Sequence, residues 1–387
     1  MTRLFPRIPW QHVCWKNSIF LISTLVLSLT AVPLYLWHFG LSWFQTSLFL
    51  TFFIATGLSI TLGYHRLFSH MTFKASWPVR LLTLLFGAAA FENSALCWSA
   101  DHRRHHKFVD HDDDPYNISL GFLHAHMGWI MFKLKPEPPW DNVPDLERDR
   151  LVMWQNRWYV TTAISMSFIL PLAIGYAWGG WRDALGSLLL AGVARVVCVQ
   201  HMTFFINSLC HTVGNRPYSS RCTARDSAVM AFFTFGEGYH NFHHEFQHDY
   251  RNGVKAWQFD PTKWSIWLLS KLGLVGQLRR VPAERIMLAE IAETQRQLEL
   301  TIASRQITLS DAVGSRLHQA QLQLQHAVQV WEQKKIEYSR SMEQKWAAAG
   351  QKAAAMKLDF ELATARLREA IEHWKETHQL AQASLAC

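Results

Sequence analysis

The sequence predicts an all-α integral membrane protein: four transmembrane helices carrying a cytosolic helical cap, followed by a C-terminal helical tail. Three observations predict it. The 387-residue chain is 49% hydrophobic and only 18% charged, below the roughly 25% charge of an average soluble protein. Several stretches of about twenty residues hold no Asp, Glu, Lys or Arg. The formal charge of +8 is confined to residues 1–280, because residues 281–387 carry thirteen basic and thirteen acidic side chains. The same composition excludes a disordered or collagenous chain.

Residues 19–39, 41–62 and 159–178 are free of charged side chains, and each is close to the ~20 residues a helix needs to cross a bilayer core. Residues 184–206 form the fourth candidate, interrupted by Arg195. A cation at mid-bilayer costs about 2.5 kcal/mol or more unless it faces protein or water. None of the four stretches contains a carboxylate, so Glu92 is the acid expected to approach Arg195. Residues 81–91 are apolar but too short to span, and are expected to pack within the protein or at the interface. Arg3, Arg7 and Lys16 precede the first span, the turn at Gly40 is uncharged, and residues 63–158 and those after 207 are rich in Arg and Lys. The positive-inside rule then puts both termini and both long segments in the cytosol, at a bacterial inner membrane or the endoplasmic reticulum. The six cysteines are scattered without a CxxC pair, which argues against a disulfide framework or a thiolate cluster.

Beyond residue 280 only periodicity remains. Leu317, Leu324, Val328, Trp331, Tyr338 and Met342 recur at helical spacing, as do Met356, Phe360, Ala363, Leu367 and Trp374. The expected organisation is a membrane domain over 1–280 and an amphipathic helical or coiled-coil tail over 281–387. The tail also offers a route to self-association.

Eight of the 20 histidines fall into three compact motifs: His65-Arg-Leu-Phe-Ser-His70, His102-Arg-Arg-His105-His106 and His240-Asn-Phe-His243-His244. On a helix, residues three and four apart share a face, so the second and third motifs are each expected to aim three imidazoles at one point. The five-residue step of the first suits a helix end leaving the membrane after Leu62. Neutral imidazole binds iron, copper, zinc and nickel, and eight rings exceed the needs of one ion, so two ions are expected. Isolated histidines are more often surface or hydrogen-bonded residues; His12, His38, His318, His326, His373 and His378 are read that way. His111, His124, His126, His201 and His248 are given no ligand role.

Together with Trp98-Ser-Ala-Asp-His102, Asp112-Asp-Asp-Pro-Tyr116, Gly128-Trp129, Asn207-Ser-Leu-Cys-His211 and Gly236-Glu-Gly-Tyr-His240, these motifs resemble the membrane fatty-acyl desaturases, specifically the stearoyl-CoA (Δ9) desaturase-like branch, over about residues 40–265. The resemblance implies a histidine-ligated di-iron centre held by His65, His70, His102, His105, His106, His211, His240, His243 and His244. Five of them would bind one iron; four, with a water held by Asn207, would bind the other. It implies O2-dependent insertion of a cis double bond at Δ9 of a saturated acyl chain, with Asn93, Trp98, Asp101, Thr203 and Phe204 contacting substrate. Acidic residues such as Asp101 and Glu237 are expected to accept from ring N–H groups.

An unactivated methylene has no proton that a side-chain base can remove, so O2 and two electrons are obligatory. No His-Pro-Gly-Gly, GxGxxG or cysteine cluster is present, which leaves the electrons to a separate cytochrome b5-, ferredoxin- or flavoreductase-type protein. Two departures bear on the acyl carrier: Ala100 stands where the acyl-CoA branch has Arg, and Glu92 where a Gln is usual. Acyl-CoA comes first, followed by acyl-lipid and acyl-carrier protein. The alternatives are a membrane hydroxylase or alkane monooxygenase on the same kind of site, or a haem-binding membrane protein; nucleic acid is not an expected partner.

Overall fold

The computed structural model describes residues 10–134, 139–305, 311–343 and 350–386; Arg3, Arg7 and the side chain of Met342 lie outside that description. The chain divides into two compact units, one of residues 1–216 with 221–280, the other of 217–220 with 281–387.

In the first unit, three apolar helical runs are long enough to cross a membrane: Trp15–Phe39, Trp43–Ser69 and Tyr159–His211. The first ends at Gly40, whose φ of 72° continues no helix. The second opens with a reciprocal cap, in which the Gln45 N–H donates to Ser42 Oγ (3.2 Å) and the Ser42 N–H donates to Gln45 Oε1 (3.3 Å). The third holds 53 residues and would be about 80 Å long if straight. It breaks at Gly179 and Gly180, the latter with a φ of 71°. The two limbs then fold back on each other, with Gly175 against Asp183 and Ser187 and Gly192 beside the Ser167 carbonyl.

Both turns meet at one end of the helices. The Tyr35 hydroxyl donates to the Arg182 carbonyl (3.0 Å) and the Arg182 guanidinium to the Phe39 carbonyl (2.8 Å), while the Gln45 amide donates to Tyr35 Oη (2.7 Å) and Asp183 Oδ1 (3.2 Å). Trp43 and Trp178 cross edge to face at 5.2 Å, and Trp37 and Trp181 are exposed beside them, as an aromatic belt at a bilayer surface requires. Trp43–Ser69 is about 40 Å long, more than the roughly 30 Å of a hydrocarbon core, and its last turns carry His65.

Those turns correct one expectation. The helix does not loosen after Leu62; residues Ser59–Ser69 wind as a π-helix, every one of them buried. The His70 N–H donates to the His65 carbonyl (3.1 Å), so the wider i→i+5 turn makes a five-residue step a pair of neighbours on one face. A second correction concerns Arg195. Its Nε donates to the Ala191 carbonyl (2.9 Å) and Nη1 to the Ala89 carbonyl (2.5 Å), whereas Glu92 accepts from Trp98 Nε1 (3.4 Å). Among the described residues the two form no ion pair. The helix Trp77–Ala88 ends beside Arg195 and frees carbonyls at its C-terminus, which supply acceptors without a buried carboxylate.

The all-α expectation misses one short strand pair, Lys74–Ala75 antiparallel to Val275–Gly276. It ties the segment after His70 to the segment after the helix Pro261–Lys271. The second unit has helices Ala283–Arg305, Asp311–Glu343 and Gly350–Ala386. Ile291, Leu324, Trp331, Leu367, Ile371 and Trp374 form its core, with Tyr338 stacked on Phe360 at 5.6 Å.

A Cβ on Gly175 would strike the Asp183 carbonyl, and backbone cannot step aside. Gly175→Val is therefore expected to destabilise the chain by about 1–3 kcal/mol, read as a lowered thermal unfolding midpoint in detergent. Gly314 faces open space within a helix, and Gly314→Ala is expected to stabilise its unit by about 0.5–1 kcal/mol.

Candidate metal centre

Four elements deliver the nine histidines. The π-wound end of Trp43–Ser69 supplies His65, and its cap supplies His70. The helix Ala95–Phe108, capped by Ser94 Oγ accepting from the Cys97 N–H (3.3 Å), supplies His102, His105 and His106. The end of Tyr159–His211 supplies His211. The short helix His240–Glu245 supplies the rest, with the Asn241 and Phe242 N–H groups donating to Asp226 Oδ1 (2.7 and 3.1 Å).

The rings gather into two groups, His65, His70, His102, His106 and His243 in one, His105, His211, His240 and His244 in the other; within each, the ligand atoms lie within 4.8 Å of one another. The expectation that each of the second and third motifs aims at a single point is thus wrong. Successive helical residues point about 100° apart. The i, i+4 partners His102/His106 and His240/His244 stay together, while His105 and His243 turn to the other group. Each of these two helices serves both groups.

Nε2 atoms converge. In the first group His65 and His106 stand 3.0 and 2.9 Å from His243 Nε2, and His70 stands 2.8 Å from His102. In the second, His211 and His244 each stand 3.1 Å from His240 Nε2, and His105 stands 3.3 Å from His244. Hydrogen bonds alone leave this arrangement frustrated, since a facing pair of nitrogens shares one proton and several Nε2 atoms face two partners. The opposite edges explain it. His65 Nδ1 lies 2.8 Å from Glu237 Oε2, and His105 Nδ1 lies 2.8 Å from Asp114 Oδ1. His211 Nδ1 donates to Thr223 Oγ1 (2.7 Å), whose hydroxyl donates to Asp110 Oδ1 (2.6 Å). With the proton held on Nδ1, these three rings present an Nε2 lone pair inward, the tautomer that binds a metal.

Electrostatics agree. Burial, then the neighbouring imidazoles, push His70, His102, His106, His240, His243 and His244 well below the usual histidine range and keep them neutral. Burial raises Glu237, but the Arg66 guanidinium and His65 outweigh it and hold the carboxyl below its ordinary value; Asp114 is lowered likewise by His105 and by the Tyr116 and Asp110 N–H groups. The donor set, two clusters of imidazoles in which His65 and His105 meet carboxylates and His211 reaches one through Thr223, fits two transition-metal ions.

Glu237 is itself held. The Arg66 guanidinium donates to Glu237 Oε1 (2.8 Å) and to both Asp260 oxygens (3.1 Å each), and Asn252 donates to Glu237 Oε2 (2.6 Å). Of the two acids expected to brace rings, Glu237 lies against His65 Nδ1. Sequence reasoning missed Asp114, Asp110, Thr223, Arg66 and Asp260. A signal for Asp114 was present, because it ends the Asp112-Asp-Asp run that precedes Pro115.

The remaining candidates scatter around this centre. Trp98 stacks on His102 at 4.7 Å. Thr203 lines a small apolar cleft with Gly57, Ile60, Val199 and Phe235. Phe204 is buried edge-on against His126, whose Nε2 lies 3.0 Å from His201 Nδ1, outside both groups. Asn93 is exposed at a turn, its N–H donating to Tyr159 Oη (3.0 Å). Asn207 lies one helical turn before His211, half-buried.

Comparison with known proteins gives a consistent set of relatives. The Fatty acid desaturase family model matches residues 41–267. Acyl-CoA desaturase 1 of Saccharomyces cerevisiae is 39% identical over 306 residues, 75% of this chain and 58% of the yeast protein. Stearoyl-CoA desaturase 5 of Bos taurus is 33% identical over 290 residues, 71% of this chain and 82% of the bovine protein; the human stearoyl-CoA desaturase is 33% identical over 298 residues, with coverages of 74% and 79%. The chain therefore spans less than two thirds of the length of the yeast relative it matches.

Glu237→Gln leaves Arg66 buried with one carboxylate fewer. It is expected to cost about 3–5 kcal/mol, measured by thermal or denaturant unfolding of the metal-free chain. Arg221, paired with Glu245 but with a side chain 80% exposed, sets the contrast: Arg221→Ala is expected to cost less than about 1 kcal/mol.

Proposed function

The chain belongs to the fatty acid desaturase family, and from that premise we propose that it inserts a cis double bond, at Δ9, into a saturated fatty-acyl chain carried as a CoA thioester. The observation that carries this reading is the pair of histidine groups, five and four strong, with their Nε2 atoms turned inward. We assign the two ions as iron. His65, His70, His102, His106 and His243 would hold one; His105, His211, His240 and His244 would hold the other, with Asn207 reaching it through a water. Bound there, the iron pair supplies the oxidising power that an unactivated C–H bond demands. Overall, the acyl chain gives up two protons and two electrons, a separate donor protein gives two electrons, the solvent gives two protons, and O2 leaves as two waters.

The protein's own groups position and insulate. Glu237, Asp114 and the Thr223–Asp110 pair hold ring protons on Nδ1 of His65, His105 and His211 and so fix those three lone pairs in direction. Trp98 lies flat over His102 and shields that edge from water. The apolar cleft beside Thr203 suits a methylene chain, and Asn93, Trp98, Asp101, Thr203 and Phe204 are assigned to substrate contact. Relatives named acyl-CoA and stearoyl-CoA desaturases support the CoA carrier. Ala100 supplies no cation to a CoA headgroup, which keeps acyl-lipid and acyl-carrier protein next in order.

The proposed topology has four spans, with the limbs on either side of Gly179 and Gly180 as the third and fourth, and with both termini and the histidines cytosolic, at a bacterial inner membrane or the endoplasmic reticulum. The lengths of the helices and the tryptophans at the turn end support it. Residues 1–280 are assigned to catalysis and 281–387 to assembly or donor coupling.

Lipid analysis of a desaturase-deficient host expressing the chain is expected to show Δ9 monounsaturated acyl chains. Replacing any of the nine histidines with Ala should remove that product while the protein still reaches the membrane. A hydroxylated product would instead favour the hydroxylase. A chain ending after Ala289 should keep its metal and retain turnover with an artificial electron supply; loss of bound metal in that chain would move the tail into the catalytic domain.

A further inference from the structure

The turn joining Trp77–Ala88 to Ala95–Phe108 is held in a conformation its residues do not favour. Phe91 and Asn93 have φ of 56° and 78°, a left-handed backbone that disfavours a bulky side chain such as Phe91. Three contacts from the apolar helices enforce it: Gln200 Nε2 donates to the Phe91 carbonyl (3.1 Å), the Asn93 N–H donates to Tyr159 Oη (3.0 Å), and Arg195 donates to the Ala89 carbonyl. Between the two strained residues stands Glu92. Its Oε2 accepts from Trp98 Nε1 (3.4 Å), Thr203 lies within hydrogen-bonding reach of the carboxyl, and Oε1 is closed off from solvent with no partner among the described residues. Glu92 thus links Trp98, which covers the five-histidine group, to Thr203 on the wall of the apolar cleft.

An anion is poorly matched to that position. The ionisable groups facing the carboxyl are the phenols of Tyr64, Tyr116 and Tyr159, all uncharged near neutral pH. Arg195 touches the same turn, but its guanidinium is directed to the Ala89 and Ala191 carbonyls. A carboxylate enclosed without a cation, and with one oxygen unbonded, bears most of its desolvation cost uncompensated. The Thr203 hydroxyl donates to the Val199 carbonyl (3.2 Å), leaving its lone pairs to receive a proton.

We propose that Glu92 is a neutral carboxylic acid that accepts from Trp98 and donates to Thr203, and that it acts as a positioning residue holding the edge of the histidine centre to the cleft wall. The positioning role rests on the desaturase reading; the protonation state does not. Burial pushes the carboxyl up to about 8, with the Thr203 and Trp98 hydrogen bonds opposing. The native chain then keeps a proton that the unfolded chain loses above about pH 4.3. This group's contribution to stability accordingly falls from about pH 4 to about pH 8 and is flat beyond. Above that window an anion appears beside the cleft and the contact to Thr203 loses its proton.

The test uses the full chain in detergent and its Glu92→Gln variant, whose amide is isosteric with the neutral acid. Infrared difference spectra are expected to show a protonated-carboxyl C=O band in the wild type at pH 7, absent from the variant and lost on titration with a midpoint near pH 8. A carboxylate signature at pH 7 overturns the proposal. With acyl-CoA, wild-type kcat/KM should fall about tenfold per pH unit above the midpoint, and the variant should show no such limb; an unchanged limb in the variant removes the positioning role. If the chain proves inactive on acyl-CoA, the infrared measurement still decides the protonation state. Failure of Glu92→Gln to fold where the wild type folds would show that a neutral isostere cannot replace the native group, and would also overturn the proposal.

Discussion

Nine imidazoles packed into two small volumes leave their protons little freedom, and three of the rings are told where to keep theirs. That instruction comes from behind the rings. Glu237, Asp114 and the Thr223–Asp110 pair sit against Nδ1 of His65, His105 and His211, one ring on each of three separate elements. The bracing acids are in turn satisfied by fixed donors: Arg66 and Asn252 for Glu237, and the Tyr116 and Asp110 N–H groups for Asp114. Arg66 extends the network to Asp260, which also accepts from the N–H groups of Asn252, Gly253 and Lys263. The geometry of the centre therefore depends on a buried charge network, Arg66 with Glu237 and Asp260, that begins directly behind the His65 ring.

The membrane helices impose the second constraint. A helix that must first cross about 30 Å of hydrocarbon delivers a polar ligand only with turns beyond that length, and Trp43–Ser69 and the second limb of Tyr159–His211 both have them. The π-winding of Ser59–Ser69 adds a finer adjustment. With α-helical winding, residues five apart would diverge; with i→i+5 bonding His65 and His70 become neighbours whose rings lie 4.9 Å apart. Small residues make this possible, since Gly63 abuts Thr83 and Gly87 abuts Tyr64, letting the short helix Trp77–Ala88 lie close against the wide turns.

Much of this was legible because hydropathy and short-range spacing are local. The apolar stretches and the three histidine motifs could be named from spacing, and His211 from the family resemblance alone. The division of the rings could not, because it depends on which way consecutive residues of one helix face, and on a π-winding that leaves no periodic mark in residues 59–69. Arg195 was misread for a different reason: carbonyls at a helix end carry no signature in the side-chain alphabet, so the search for a partner turned to Glu92. Asp114 was visible only as part of a motif, while the Thr223–Asp110 and Arg66–Asp260 contacts span 113 and 194 residues.

The central claim is that the two histidine groups are separate metal sites of one centre. Metal analysis of the purified chain and of two variants, His106→Ala in the five-membered group and His244→Ala in the four-membered group, tests it most directly. The account predicts two irons per chain in the wild type and a reduced, non-zero content in each variant. A single iron in an active wild-type preparation would contradict it.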